Sequence, residues 1–422
     1  MSRLEKLRSE LRALYGNDNH VIEKQMRRYS ELEAQFEQRF ADRQRMIFST
    51  PGRTEIGGNH TDHNHGRVLA AGVNLDSIAI AAPVHDPTVT VYSEGYKEPF
   101  KVDLTDLTSR EDEKGTTSAL IRGIAARFAK LDFTIGGFNA CMTSDVLPGS
   151  GLSSSASVEV LIGTIFSALY NDNRIQPQTI AQTGQYAENE FFGKPCGLMD
   201  QMACAVGGIL SIDFADPEKP QVRKLDFDFS RQRYSLVIVD SGGSHADLTE
   251  DYAAVPAEMK KVAGVLGEEV LRDIDVDQFM HNIPDLRQQV GDRAVLRALH
   301  FIEDNERVVK QVQALQDGDF QKFLQLVQES GNSSFKWLQN IYTPKKVDEQ
   351  GVSLALALSD RFIGEIAAGA CRVHGGGFAG TIQAFLPDDH VQAYVQRMET
   401  VFGKGCATVL MIRNRGLISF EL

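Results

Sequence analysis

Leu4, Leu7, Leu11 and Leu14 recur at helical spacing at the start of the chain, so this segment predicts a helix with one apolar face. A break at Gly16–Asn19 precedes a second, strongly charged helix reaching about Arg43. Packing of these helices on their own protein and a dimer contact are both open. After residue 45 the pattern changes. MIFST is a short apolar run ending at Pro51-Gly52, and VLAAGVNLDSIAIAAPV and PTVTVYS predict strands around a His85-Asp86-Pro87 turn. Thr117–Lys130 carries helical periodicity and GFNACMTSD predicts another strand. A strand ending near Ser144 then runs into LPGSG and into LSSSASVEVLIGTIFSALY, giving strand, glycine loop and helix in succession. Residues 177–192 predict a helix, and GGILSIDF and YSLVIVDS predict strands. From about Tyr252 to Ser359 the pattern is mostly helical. The end is mixed: CRV, the glycine run GGGFAG, TIQAFLP, a helix through DDHVQAYVQRMETVF and a closing strand CATVLMI. The polar stretch DFADPEKPQVRK marks a lobe boundary. The expected organisation is therefore a helical segment over 1–45, a first lobe over 46–220 and a second over 221–422.

Composition narrows the function classes. At 422 residues the chain suits two lobes. A net charge of -13 argues against nucleic acid and anionic membrane as partners. The amino-terminal stretch is charged throughout and lacks the apolar core of a signal peptide. No run reaches the ~18 apolar residues of a membrane span. The five cysteines form no CxxC pair or regular framework, which predicts reduced thiols and a cytoplasmic location.

Four segments carry candidate chemistry. In LPGSGLSSSAS, Leu147 to Ser157, glycines admit close backbone approach to an anion. The serines open a helix whose free N–H groups favour phosphate. A serine hydroxyl there also suits Mg2+, a hard cation. One serine would mean only a cap, but three in succession exceed what capping requires. The segment is neither a Walker loop nor a GxGxxG turn. In PGRTEIGGNHTDHNHG, Pro51 to Gly66, the residues Arg53, Asn59, His60, Asp62, His63 and His65 crowd one loop. That set suits a polyhydroxylated ligand, while a metal site or a solvated loop are the alternatives. Asp200 in CGLMDQ is by itself compatible with a cap or turn. The run Gly375–Gly377 implies close approach to a ligand or to another backbone.

In this order the four segments resemble the galactokinase branch of the GHMP kinase superfamily. The family pattern GRxNxIGEHxDY is similar to GRTEIGGNHTDH at Gly52–His63. GLSSSA stands unchanged at Gly151–Ala156, GxMDQ at Gly197–Gln201, and GGGFGG resembles GGGFAG at Gly375–Gly380. The resemblance implies an α+β, two-lobed GHMP fold. Its first lobe is of the ribosomal protein S5 domain 2-like type, and its second is helix-rich with an antiparallel sheet. The site lies between the lobes. It further implies transfer of the ATP γ-phosphoryl group to the anomeric hydroxyl of a hexose such as galactose, with Mg2+. Asp200 would hold the sugar hydroxyl as base or anchor, and Arg53 would neutralise the moving phosphoryl group. Ser155 and Glu188 would hold the metal. Gly149, Ser150, Gly151, Leu152, Ser153, Ser154 and Ser155 would line the phosphates. Asn59, His60, Asp62 and Tyr252 would face the sugar.

The chain departs from the family pattern at several positions, several of them on or near the sugar side. The family's Glu is Asn59, its Tyr is His63 and its Asn is Glu55; later, His374 stands for Thr and Ala379 for Gly. In the phosphate loop, Pro148 sits one residue closer to the serines. An uncharged Asn59 exchanges a charge-assisted hydrogen bond of roughly 1.5–3 kcal/mol for a neutral one of about 1. A kinase for an altered hexose, an N-acetylated sugar or a pentose is therefore an alternative, and a non-catalytic sugar sensor a more distant one. The partners expected are a small sugar and Mg-ATP, with the chain a monomer or weak homo-oligomer.

Overall fold

Alternation along β-strands places successive side chains on opposite faces, and the long apolar second strand is buried on both of them. The computed structural model describes residues 3–40, 44–146, 151–243 and 248–421. The first part of the chain contains α1 (Arg3–Tyr15), α2 (Asn19–Arg39), β1 (Met46–Gly57), β2 (Arg67–Pro83), β3 (Thr88–Ser93), β4 (Phe100–Asp103), α3 (Thr117–Lys130), β5 (Phe138–Ser144), α4 (Ser154–Tyr170), α5 (Pro177–Ala187), α6 (Met199–Val206), β6 (Ile209–Asp213) and β7 (Gln221–Leu225). There follow β8 (Tyr234–Asp240), α7 (Thr249–Val265), α8 (Val276–Val290), α9 (Asp292–Gln316), α10 (Phe320–Ser333), α11 (Gly351–Ile366), β9 (Ala370–Val373), β10 (Thr381–Pro387), α12 (Val391–Phe402), β11 (Ala407–Leu410) and β12 (Ile418–Glu421).

The larger sheet runs β12-β1-β2-β5-β3-β4, with β6 on the first half of β2 and β7 beyond it. Only β3 and β5 are parallel within it. The smaller sheet, β11-β8-β10-β9, is antiparallel. The sequence boundary at 220/221 thus falls between β6 and β7, two neighbours in one sheet, and β12 returns to that sheet after the smaller one is complete.

One face of the larger sheet, with Phe48, Ala79 and Ala81, packs on Ile121, Phe128, Val160, Leu161, Phe166 and Met202 from α3, α4 and α6. The opposite face, with Ile47, Ile78 and Ile80, is covered by Leu7, Leu11, Ile22, Tyr29, Leu32 and Phe36 of α1 and α2. The two N-terminal helices are therefore packed on their own sheet; Leu4 alone of the leucine row is exposed. Each buried aliphatic or aromatic side chain contributes about 1.5–3 kcal/mol. Further along β1 and β2, Ile56, Leu69, Ala71 and Val73 meet Ile238, Val308, Phe323 and Phe385, which joins the larger sheet to the second half of the chain.

The structure departs from the sequence pattern at several points. β1 does not stop at Pro51; it continues to Gly57, with its register shifting between Pro51 and Arg53. Proline lacks the N–H that a regular ladder needs, so the strand survives as an irregular one. The 177–192 helix ends at Ala187 and passes into a wider turn over Glu188–Phe192. Cys141, Cys204 and Cys371 are buried, Cys196 and Cys406 half-buried, and all five are free thiols. No helix among the described residues is long and apolar enough to cross a membrane.

Candidate active site

The site begins with two neighbouring turns. Irregular β1 carries Arg53, and α4 starts beside it. The Arg53 N–H donates to the Leu152 carbonyl at 3.0 Å, and a Cβ on Gly52 would lie 2.8 Å from that oxygen. Gly151 has φ +73°, and a Cβ there would stand 2.4 Å from Thr381 Oγ1. Ser153 is left-handed, with φ 58°, and its side chain makes no capping bond to α4. Its hydroxyl donates instead to Asp200 Oδ2. Among the described residues, the leading N–H groups of α4 therefore lack the N-cap side-chain bond that would explain a serine as a simple helix start. Gly149 and Ser150, also expected at the phosphates, lie outside the described residues.

Asp200 sits in the first turn of α6, not in a loop. Arg53 binds it in fork geometry, Nε to Oδ1 at 2.6 Å and Nη2 to Oδ2 at 2.7 Å. The remaining Arg53 nitrogen, Nη1, donates to the Gly151 carbonyl. Burial alone would raise the Asp200 carboxyl, but Arg53, Ser153 and Lys194 together hold it below the usual value. The carboxylate is thus ionised and fixed, with 32% of the side chain still exposed.

Ser155 and Glu188 come together as expected. Ser155 Oγ donates to Glu188 Oε1 at 3.3 Å, and Lys194 Nζ reaches the same oxygen at 3.1 Å. Beneath them lies a carboxylate the sequence reading did not single out. Gln201 Nε2 donates to Glu188 Oε2 at 3.0 Å and to Glu159 Oε2 at 2.9 Å. Glu159 is fully buried and its Oε1 lacks a partner among the described residues. Burial first, and the neighbouring Glu188 second, push its carboxyl well above the ordinary value. A charged residue inside the apolar run of α4 was the available signal. The donors Ser155 and Glu188 are oxygens, which fits Mg2+, an ion that keeps phosphate and water ligands for the rest of its shell. Among the described residues no cluster of three or more His, Cys, Asp or Glu forms a metal cage, the histidine loop included.

The sugar-side candidates divide. Asp62 opens a short turn after β1, and a Cβ on Gly197 would stand 2.2 Å from Asp62 Oδ2. The carboxylate therefore lies against the backbone three residues before Asp200. His63 flanks it, with Nε2 3.8 Å from Asp62 Oδ1. His60 packs its ring 5.9 Å from that of His63, and its Nε2 faces the Gly376 carbonyl at 2.9 Å. That contact puts the proton on Nε2. Burial, then His63, push the His60 imidazole down to about 4, so it is neutral. Tyr252 donates to the Gly377 carbonyl at 2.9 Å with its ring against Gly376. The close partners of the glycine run are thus protein groups: Tyr252 at Gly376 and Asn340 at Gly377.

Asn59 requires a correction. Expected to face a ligand, it is fully buried. Its Nδ2 donates to Glu55 Oε1 at 2.9 Å and the Gly375 carbonyl at 2.8 Å. Its Oδ1 accepts from Asn340 at 2.8 Å and Ser334 at 3.2 Å. Every side-chain donor and acceptor is used inside the protein. Glu55 also accepts from Arg372 Nη2 at 2.8 Å, forming a buried ion pair. Burial outweighs Arg372 and Arg53, and pushes the Glu55 carboxyl up to about 7. His374 bridges Thr54 and Thr381, each at 3.1 Å, beside Gly151.

Residues 119–208 match the model of the GHMP kinases N terminal domain, and residues 34–83 match the galactokinase galactose-binding signature. A galactokinase from Glaesserella parasuis serovar 5 (strain SH0165) is 33% identical over 365 residues, covering 86% of this chain and 90% of that protein. The crystal structure of Lactococcus lactis galactokinase complexed with galactose aligns with a TM-score of 0.78 at 23% identity, over 93% of this chain and 100% of that one. Methanococcus jannaschii mevalonate kinase aligns with a TM-score of 0.60 at 15% identity, over 87% and 98% of the two chains. These structural likenesses define the fold as that of the GHMP kinases, two-lobed and α+β, as the motifs implied. The sequence relationship goes further: the chain belongs to the galactokinase family, whose members are ATP-dependent sugar kinases.

Proposed function

We propose that the chain transfers the γ-phosphoryl group of ATP to the anomeric hydroxyl of galactose, in the cytoplasm. The observation that carries this reading is the Asp200–Arg53 fork at the uncapped start of α4. It holds an ionised carboxylate and a cation where a sugar hydroxyl and a terminal phosphate would meet. In the reaction the sugar oxygen bonds to the γ-phosphorus, the bond from that phosphorus to the β,γ-bridging oxygen breaks, and ADP leaves. Asp200 accepts the hydroxyl's hydrogen bond and orients its lone pair toward phosphorus. Its depressed proton affinity makes it a better anchor than base until the hydroxyl acidifies late in the transfer, when the hydroxyl's proton passes to the Asp200 carboxylate. Arg53 holds Asp200 and offsets charge on the phosphoryl oxygens. Gly151, Leu152, Ser153 and Ser154 line the phosphates. Ser155 and Glu188 hold Mg2+, which when bound neutralises phosphate charge. Asp62 and His60 meet sugar hydroxyls, and Tyr252 walls the sugar side through its hold on Gly377.

A second reading, a kinase of the same family for another sugar, draws on Asn59, which is sealed inside the protein and presents no group to a ligand in this state. The test of both is ADP release with Mg-ATP and a panel of galactose, N-acetylgalactosamine, arabinose and glucose. Galactose as the preferred substrate is expected. Turnover with another sugar and none with galactose would transfer the assignment to the second reading. No ADP release with any sugar would remove both.

A further inference from the structure

Lys194 is a cation that the reaction described above leaves unused. Gly193, with φ +86°, closes the wider turn that begins at Glu188. The N–H groups of Gly193 and Lys194 both donate to the Glu188 carbonyl, at 3.0 and 3.1 Å. Two residues on, the Cys196 N–H donates to Asn189 Oδ1 at 2.8 Å. The backbone thus folds Lys194 back onto Glu188, while the Lys194 side chain stays 62% exposed and that of Glu188 only 3%. The two carboxylate oxygens of Glu188 are held differently. Oε2 is tied inward, to Gln201 at 3.0 Å. Oε1 accepts from Ser155 Oγ at 3.3 Å and from Lys194 Nζ at 3.1 Å. The ammonium therefore rests on the oxygen that, with Ser155, suits Mg2+. Its long flexible stem and hydrated head fit a cation that changes partners. Arg53 is committed by contrast, with Nε and Nη2 on Asp200 and Nη1 on the Gly151 carbonyl. Against burial, Arg53, Ser153 and then Lys194 hold the Asp200 carboxyl down, so the ammonium also lies within electrostatic reach of that carboxylate.

We propose that Lys194 is a binding residue for the nucleotide phosphates, its ammonium exchanging Glu188 Oε1 for a phosphate oxygen when Mg-ATP binds. This rests on the phosphate reading of Gly151–Ser155 and the metal reading of Glu188 given above. An ammonium and a divalent ion on one carboxylate oxygen repel each other strongly. Lys194 is the partner able to yield, because its head is already at the protein surface. Glu188 keeps a counter-charge throughout the exchange, so no buried carboxylate is stripped. Phosphate oxygens that complete the shell of an ion held by Ser155 and Glu188 lie next to the place the ammonium leaves. There Lys194 gains a charge-assisted hydrogen bond.

The experiment measures the Kd of Mg-ATP by calorimetry on the full chain without sugar, so that no turnover intervenes, in Lys194→Met, Lys194→Gln, Lys114→Met and Ser155→Ala. Lys194→Met and Lys194→Gln are each expected to raise the Kd about tenfold. The sign decides between two roles. An ammonium that stayed on Glu188 would hold the metal off, and its removal would tighten Mg-ATP; only a lysine that moves to the phosphates weakens binding when removed. Lys114→Met controls for loss of charge alone, because the Lys114 side chain lies beside Gly193 and its ammonium pairs with Glu111 at 2.7 Å. That variant is expected to stay within about twofold of the parent. Lys194→Gln, which can still donate to Glu188, keeps the test decisive if Lys194→Met folds poorly. If Ser155→Ala weakens Mg-ATP while the Lys194 variants leave or tighten it, or if Lys114→Met weakens it as much as they do, the role given to Lys194 is overturned and the phosphate reading stands. If Ser155→Ala leaves the Kd unchanged, the phosphate reading fails and takes this proposal with it.

Discussion

The two halves of the candidate site are built on different terms. On the phosphate side, Arg53, Ser153, Asp200, Ser155 and Glu188 point at one another across the start of α4, and Asp200 keeps a third of its side chain open. On the sugar side, two departures from the family pattern, Glu55 and Asn59, turn inward. Glu55 and Asn59 lie within a hydrogen bond of each other, and they are the family's Asn and Glu with places exchanged. The carboxylate has moved four residues back into the core, where Arg372 meets it. A half whose groups must meet a reacting phosphate tolerates little rearrangement, whereas a half that recognises hydroxyls can redistribute charge among its supports.

The strongest way to break this contrast is Asp200→Asn, which removes the charge that both Arg53 and the sugar hydroxyl would use. A fall in kcat of roughly 10²-fold or more is expected. A change of only a few-fold would mean the phosphate half is not the chemical half. The contrast is sharpened by Asn59→Glu. Restoring the family residue alone sets a second buried carboxylate beside Glu55, so we expect a loss of about 3 kcal/mol in denaturant unfolding. The double exchange Glu55→Asn with Asn59→Glu should recover much of that loss, read as a coupling energy in a double-mutant cycle. Additive losses would show that the pair is not one unit. The smallest effect concerns His374, whose buried imidazole is held well below its ordinary value by burial first and by Arg53 and Arg372 next. Its neutral form stabilises the fold above about pH 6.5, and that contribution is lost as acid drives protonation of the unfolded chain. His374→Thr should therefore flatten the decline of stability between about pH 6 and 5 by up to roughly 1.4 kcal/mol per pH unit. Equal slopes in the two proteins would assign the acid sensitivity elsewhere.

Local pattern made much of this legible. The helix over Thr117–Lys130 follows its periodicity to the residue, and the strand before the serines and the helix after them stand as the spacing implied. Short elements escaped because four to eight residues carry little period: β4, β7, β12 and α6 were not anticipated. The carriers of the Arg53–Asp200 fork were legible from the motifs. The burial of Asn59 was not, because its partners Glu55, Gly375, Asn340 and Ser334 are brought together only by the tertiary fold. Glu159 and Arg372 were visible as charges within apolar runs, a pattern that signals a buried partner without naming it.

The return of β12 to the edge of β1 has a consequence for biogenesis. During translation the larger sheet lacks its last strand, and Asp76 lacks Arg413, until the smaller sheet has been made. A chain halted after β7 would present the bare margin of β1 to any other polypeptide, so the first lobe on its own is a candidate for chaperone capture rather than an autonomous folding unit.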